Sequence, residues 1–506
     1  MKLLRTSFAG FHRVNPMIQI TNTLKTGETK LPEPGAKIRM FVCGPTVYDY
    51  IHIGNARTFV VFDVIAKYLR YRGYDLNYIQ NITDIDDRII KRAQETGQSW
   101  KELSEKFEKI FLENMKSLKV DSVDKYPRAT DHIPEIIEQV KTLIEKGNAY
   151  LIEDDPVKSP NGDNGAGGYY FDLKTFPEYG KLSGRTAEMA EDAISRIDES
   201  SGKRNRGDFC LWKFSKEGEP SWPADFGAGL PRGEALRGRP GWHIEDTAIT
   251  EKYFGPQYEI HGGGQDLIFP HHEAEIAQQE SASGLKPFVK YWLHVGFLVN
   301  KEGKMSKSSG NFLTVEEALK KYSPEALRFY FLSAHYRSPL DYTEENLKQA
   351  EAAVSRLAEF VTKLQKLWKS DFHSSNYEND YGSPTSIVAE IKKKLTVEMD
   401  SDFNTPKAIA YVFEFIRKVN LLIDRKKIGS TDTEKILEIF GDLNRVFGII
   451  PQEKETSPEV QKLVQEREKA REKKDFARSD ELREQIKNLG YEVEDTAYGP
   501  LVKKGD

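Results

Sequence analysis

Two short strings in the chain carry side chains suited to holding a phosphate. His52-Ile53-Gly54-Asn55 stands where an apolar, strand-like run (residues 38–42) gives way to a helix-like one (59–71). At such a turn the first N–H groups of the helix lack partners and sit at the positive end of its dipole, which favours an anion. Gly54 has no side chain to keep a nucleotide base from the backbone, and His52 can donate to phosphate oxygens. Lys304-Met305-Ser306-Lys307-Ser308 lies far downstream in a Gly/Ser/Lys loop (303–310) and supplies ammonium groups. Attack on a phosphorus centre builds negative charge, which positioned ammonium groups stabilise. Taken singly, each string also reads as ordinary solvated surface.

A second constellation suits a metal. Four of the ten histidines (His243, His261, His271, His272) fall in one thirty-residue stretch. Pro270 suits a first helical position, which predicts His271 and Glu275 at i, i+4 on one helix face. That is ligand spacing for one ion; a polar helix start held by hydrogen bonds is the alternative. The only cysteines are Cys43 and Cys210, which excludes a disulfide framework and fits a reducing compartment. Cys210, between Phe209 and Leu211, reads as a buried packing residue. Asp84, Asp86 and Asp87 read as a solvated or capping acidic turn.

The 506 residues suffice for several domains. A formal net charge of -5 gives no global nucleic-acid signal, so any RNA surface must be a local basic patch. No apolar run reaches the roughly 18 residues of a membrane span. Residues 1–17 are basic and lack acids, but no continuous apolar stretch marks a signal peptide; a transit peptide is the alternative. Strand at 38–42, helix at 59–71 stopped by Gly73, and alternating strand at 74–82 make a βαβ unit, which predicts a parallel, Rossmann-like sheet. Residues 100–147 read as helical. Polar, Gly-rich segments at 154–168, 185–208 and 227–241 read as loops of an insertion. Helical periodicity returns from 346 to 450. A Pro/Glu/Ser linker at 451–458 precedes a small charged C-terminal unit.

Five strings carry a resemblance: Phe41-Val42-Cys43-Gly44-Pro45-Thr46-Val47-Tyr48-Asp49, Asn81-Ile82-Thr83-Asp84-Ile85-Asp86-Asp87, Gly238-Arg239-Pro240-Gly241-Trp242-His243-Ile244-Glu245, His261-Gly262-Gly263-Gly264-Gln265-Asp266 with Pro270-His271-His272-Glu273-Ala274-Glu275, and Lys304 to Ser308. With the first string's continuation through His52 to Asn55, they resemble the class I aminoacyl-tRNA synthetases, in the branch that acts on cysteine. The resemblance spans most of 38–345 and is looser beyond. It implies an α/β fold: a Rossmann-like parallel-sheet catalytic domain (17–147 and 251–345) interrupted by a connective insertion (148–250). A helical tRNA-binding domain (346–450) and a C-terminal anticodon-binding unit (456–506) follow.

The resemblance also implies roles. His52, Asn55, Lys304 and Lys307 would stabilise the phosphate transition state of cysteinyl-adenylate formation. His52, Gly54, Asn55, Gly263, Asp266 and Lys307 would bind ATP, which enters with Mg2+. Gly44, Thr46, Thr83 and Trp242 would line the cysteine pocket. One Zn2+ held by Cys43, Asp246, His271 and Glu275 would read the substrate thiol. A plain pocket separates near-isosteres such as serine and cysteine by only about 10–200-fold, whereas zinc prefers a thiolate strongly. The chain departs from the family pattern twice. Asp246 stands where a second cysteine is usual; an oxygen ligand keeps the site viable and makes the metal harder, with Cys210 as rival ligand. Asn55 replaces a second histidine and can donate a hydrogen bond but carries no charge.

The partners so implied are tRNA(Cys), cysteine and ATP, for a cytoplasmic monomer with no membrane contact. Two alternatives stand beside this reading. A ligase joining cysteine to an amino sugar lacks the helical end that this chain keeps from 346 to 506. A catalytically silent tRNA-binding paralogue is disfavoured by the intact Lys304 to Ser308 string. The mixed charges at 465–478 ordinarily mean a solvated helix; by resemblance they belong to the anticodon reader, with Lys473, Lys474 and Arg478 as candidate phosphate contacts.

Overall fold

A computed structural model describes residues 17–27, 29–153, 167–185, 202–226, 236–300, 303–304, 312–369, 384–451, 457–496 and 499–504. The βαβ unit consists of β1 (Lys37–Val42), α1 (Ile53–Tyr71) and β2 (Asp75–Gln80). The helix starts six residues before the apolar periodicity does, because a reciprocal cap holds its first turn. The His52 Nδ1 accepts the Asn55 N–H at 3.2 Å, and the Asn55 side-chain oxygen accepts the His52 N–H at 3.3 Å. Gly73, at φ +89, turns the chain into β2.

Two later strands, β8 (Tyr258–Gly264) and β9 (Val289–Val295), complete a four-stranded sheet of order β2-β1-β8-β9. All its pairings are parallel. Side chains alternate across it: Ile38, Met40 and Val42 enter the core that α1 covers, while Phe41 and Cys43 enter the core on the other face.

Between the halves lies an antiparallel sheet of order β3-β4-β5-β7-β6, formed by β3 (Ala149–Ile152), β4 (Gly168–Phe171), β5 (Phe209–Phe214), β6 (Trp222–Ala224) and β7 (Leu236–Pro240). β7 corrects the expectation of a loop through 227–241. Its glycine is there for packing: a Cβ on Gly238 would lie 2.3 Å from Trp212 Nε1. Residues 154–166 and 186–201 lie outside the described residues. The helical reading of 100–147 resolves into α3 (Trp100–Ser117) and α4 (Ile133–Glu145), preceded by α2 (Asp87–Thr96). Asp86 caps α2, its side chain accepting the Arg88 N–H at 2.8 Å.

Asp246 sits on α5 (Ile244–Phe254), His271 just before α6 (Glu273–Ser283) and Glu275 in its first turn. Pro270 does not open the regular helix, which corrects the sequence expectation. A residue before proline is pushed out of the helical region, and Phe269 is extended (φ -140, ψ 130), so a wider turn over Ile268–His272 precedes α6. Downstream come β10 (Leu298–Asn300), β11 (Gly303–Lys304), α7 (Val315–Lys321), α8 (Pro324–Leu332), β12 (Leu340–Asp341) and the helices α9 (Glu344–Lys369), α10 (Pro384–Asp400), α11 (Thr405–Asp424) and α12 (Ser430–Phe447). The C-terminal unit pairs α13 (Pro458–Glu472) and α14 (Phe476–Asn488) with a hairpin of β13 (Tyr491–Thr496) and β14 (Gly499–Lys504).

One buried arginine ties α1 to the helical part. Arg328 donates to Asp63 of α1 (2.8 Å), to the Leu118 carbonyl (2.9 Å) and to the Phe447 carbonyl at the end of α12 (2.8 Å). Gly448 closes α12 at φ +65, where a Cβ would meet Arg328 Nε at 2.7 Å. Burial would raise the Asp63 carboxyl, but Arg328 and Lys67 outweigh it and hold it below the usual range.

Candidate thiol and phosphate site

In a parallel sheet, ligands settle in the crevice at the carboxyl ends of strands where the strand order reverses. Here β1 leads to β2 on one side while β8 leads to β9 on the other, so the reversal falls between β1 and β8. Cys43 and Gly44 follow β1, Asn81 and Thr83 follow β2, and the Gly262–Gly264 run ends β8. The α1 cap, with His52 and Asn55, opens on the same edge.

At the phosphate end, the His52 ring folds back over Gly54, whose Cβ would lie 2.8 Å from the His52 Nδ1. With Nδ1 accepting the Asn55 N–H, the neutral ring carries its proton on Nε2, as a donor. Asn55 thus has a capping role that sequence reasoning missed. Lys304 pairs through its backbone with Val299 in β11; Met305 to Ser308, and with them Lys307, lie outside the described residues. The chain reappears beside the cap: Thr314 bridges His52, the Ile53 N–H donates to the Leu313 carbonyl at 3.0 Å, and the Phe312 ring lies 6.3 Å from the His52 ring. Of the glycine run, Gly262 is demanded by the core, since its Cβ would lie 2.1 Å from the Phe62 ring. Gly263 is buried and Asp266 is exposed just beyond β8.

At the thiol end, donors from three parts of the chain converge. Cys43, Asp246, His271 and Glu275 offer one ligand atom each, all within 4.8 Å of one another and all buried. His271 Nε2 lies 3.0 Å from both Asp246 Oδ2 and Glu275 Oε1, so the i, i+4 pairing survives the late helix start. Cys43, His261, His272 and Glu275 form a second set with the same spread, which sequence reasoning did not assemble. Cys43 Sγ is 3.3 Å from His261 Nε2 and 3.1 Å from His272 Nε2. The far ring nitrogens of these histidines face Tyr258 (2.6 Å) and His294 (2.8 Å). The clustering of His261 and His272 among the histidines was the available signal, but their meeting with Cys43 depends on the β1–β8 register. Cys210 belongs to neither set and packs against Tyr150, Ile152 and Tyr170.

The pocket walls are shared with these donors. Gly44 has no room for a side chain, its Cβ falling 1.7 Å from the Asn81 carbonyl oxygen. Thr46 bridges Thr83, and the Thr83 hydroxyl donates to Glu245. The Trp242 ring stacks on His271 with centroids 4.5 Å apart and planes at 21°.

The electrostatics of the cluster are set by burial and by its two carboxylates. Burial pushes the Cys43 thiol well above its ordinary value, and Asp246 and Glu275 push it further. Burial lifts Glu275 to about 7 against the pull of His271. Burial would lower His271, yet Glu275 and Asp246 outweigh it and raise it to about 10. Burial holds His243, His261 and His272 well below the usual imidazole value, so they are neutral. The buried Glu275 Oε2 makes no hydrogen bond among the described residues. A thiol, two carboxylates, imidazoles and an orphaned oxygen could hold a divalent ion, with the Cys43 thiol and His271 giving up their protons on binding.

Comparison with known proteins bears on both ends. The family model described as "tRNA synthetases class I (C) catalytic domain" matches residues 31–352. A DALR domain matches 395–451, and "Cysteinyl-tRNA ligase anticodon binding domain" matches 453–499. The chain is 43% identical to the cysteine–tRNA ligase of Thermococcus onnurineus over 96% of its own length and 99% of that protein's. Against that of Pyrococcus furiosus it is 44% identical, over 95% and 98%, and against that of Methanococcus maripaludis 43%, over 96% and 99%. Among solved structures, Mycobacterium tuberculosis methionyl-tRNA synthetase bound by methionyl-adenylate aligns with a TM-score of 0.58 at 15% identity, covering 81% of this chain and 90% of that one. The Agrobacterium radiobacter leucyl enzyme gives 0.59 at 12%, covering 84% and 85%. At such identities these two structures speak to the fold alone.

Proposed function

The chain belongs to the cysteine–tRNA ligase family of class I aminoacyl-tRNA synthetases, and we propose how its residues divide the family's reaction: activation of cysteine by ATP, then transfer of the cysteinyl group to tRNA(Cys). The carrying observation is the convergence of Cys43, Asp246, His271 and Glu275 within 4.8 Å at the carboxyl edge of the parallel sheet.

These four side chains would hold one zinc ion. When bound, it supplies a preference for thiolate sulfur over hydroxyl oxygen. Asp246 and His271 are preferred to His261 and His272 as the remaining ligands because His271 Nε2 already lies 3.0 Å from both carboxylates. Gly44, held against the Asn81 carbonyl, would line the cysteine pocket with Thr46 and Thr83, and Trp242 would close one side over His271. His52 donates from Nε2 to a phosphate oxygen, and Gly54 keeps the helix start open. Asn55 contributes its amide N–H2, its oxygen being used by the cap. Lys304 and Lys307 would stabilise the phosphates, and the described residues that follow them, Phe312 to Thr314, lie beside His52; Gly263 and Asp266 would face the nucleotide from the end of β8. Magnesium enters with ATP. These roles rest on the residues' match to the family's strings together with their common edge.

The helical segments from 346 to 450 would dock the tRNA, and the unit at 456–506 would read its anticodon. Among the described residues no helix is long and apolar enough to cross a membrane. Neither buried cysteine forms a disulfide, which supports a cytoplasmic setting. One chain supplies both donor sets and the cap, which supports a monomer. Cysteine-dependent pyrophosphate exchange with a serine control tests the reading. Exchange with cysteine and almost none with serine is expected; equal exchange with both would overturn the thiol pocket.

A further inference from the structure

The acidic turn at Asp84 to Asp87, read from the sequence as a cap, leads into Arg88, and Arg88 reaches the thiol pocket. Its guanidinium carbon lies 5.4 Å from the Trp242 ring centroid and 5.5 Å from that of Tyr48. Asp86 holds it there, accepting both the Arg88 N–H (2.8 Å) and Nε–H (3.1 Å). Trp242 itself stacks on the His271 ring, and His271 meets Asp246 and Glu275 through Nε2. The neighbouring Asp87 accepts from Lys213 at 3.0 Å and from Arg239, which is 3% exposed and stands three residues before Trp242. The start of α2 therefore grips both the backbone leading into Trp242 and the Trp242 ring.

We propose that Arg88 is a positioning residue for cysteine recognition: with Asp86 and Tyr48 it fixes the Trp242 ring against His271 and so sets the wall of the thiol pocket. Trp242 is 36% exposed, so the core alone does not immobilise it. A guanidinium is flat, always charged and stacks on aromatic faces, which a lysine ammonium reproduces only as a point charge. The inference rests on the reading of Trp242 and His271 as pocket walls.

Arg88→Lys, Trp242→Leu and the double variant of the full chain test it by pyrophosphate exchange, with cysteine and ATP varied separately. Arg88→Lys is expected to raise KM for cysteine by about 3- to 10-fold, the scale of one cation–π contact. KM for ATP, kcat and zinc content are expected to stay at the wild-type values, which general loosening of the fold would not allow. In the Trp242→Leu background, Arg88→Lys should add nothing. An unchanged KM for cysteine in Arg88→Lys, with a raised one in Trp242→Leu, overturns this proposal alone. So does an equal effect of Arg88→Lys in both backgrounds. An unchanged KM for cysteine in Trp242→Leu overturns the pocket reading and the proposal with it.

Discussion

Asn81 ties Gly44 to Asp246: its Nδ2 donates to Asp246 Oδ1 at 2.5 Å while its Oδ1 accepts the Gly44 N–H at 2.6 Å. It is 1% exposed, so neither bond competes with bulk water. Partners of this kind orient a ligating carboxylate, and losing one typically weakens metal binding by about 10–100-fold. Asn81→Ala should weaken zinc binding by that order in a chelator competition. Unchanged affinity would show that Asp246 does not act as a ligand oriented by Asn81.

Metal analysis of single variants separates the two donor sets. Asp246→Ala and His271→Ala should each lose zinc, and Cys210→Ala should keep it, since Cys210 packs among tyrosines away from both sets. Retention in Asp246→Ala and His271→Ala with loss in His261→Ala would assign the ion to Cys43, His261, His272 and Glu275 instead.

Lys307→Ala should slow adenylate formation by about 10²–10³-fold, the usual loss for one charge-stabilising group. Cysteine binding should change far less, because the described residues that follow Lys307, Phe312 to Thr314, lie beside His52 and not beside Cys43. Single-turnover rates and cysteine binding measured on the same variant check this; equal losses in both would refute the assigned role.

Truncation near residue 456 should leave pyrophosphate exchange largely intact, since Cys43, His52, His271 and Lys307 all lie upstream. Transfer to tRNA should fall through weaker binding and lower sensitivity to anticodon changes. Removing Lys473, Lys474 and Arg478 should also flatten the salt dependence of tRNA binding by up to about one unit of slope per lost phosphate contact. Arg478 is paired with Glu481 at 2.6 Å in the free protein, so its share should be the smallest. A truncated enzyme that charges normal and anticodon-altered tRNA as the full chain does would reduce α13 to a solvated face.

The first βαβ unit was legible because its apolar residues follow the two periods of strand and helix. The true start of α1 was not, since Ile53, Gly54 and Asn55 carry no periodicity and the cap that makes them helical is a reciprocal contact between two side chains. β7 was hidden for the opposite reason: Gly238 and Pro240 carry the composition of a loop, yet Gly238 is there to admit Trp212. At the site, His271 and Glu275 were readable because their spacing is local. His261 and His272 were visible as a cluster but not as ligand candidates, because their approach to Cys43 exists only once β1 and β8 are in register. Arg88 directly follows a string whose acids drew the reading toward capping.

The contact between Arg328 and the end of α12 has a bearing on where this chain can be divided. The guanidinium spends its donors on Asp63 in the catalytic sheet's first helix and on Phe447 in the last helix of the bundle. One apolar core also runs from Ile38 and Val42 to Phe360, Phe415 and Phe440. A cut anywhere between 346 and 450 would leave a buried charge short of an acceptor and open that core to water. In this chain the catalytic sheet and the helical bundle therefore share one core. A cut after Ile450 would spare both the Arg328 contacts and this core, so the C-terminal unit could be exchanged there with the rest of the fold kept.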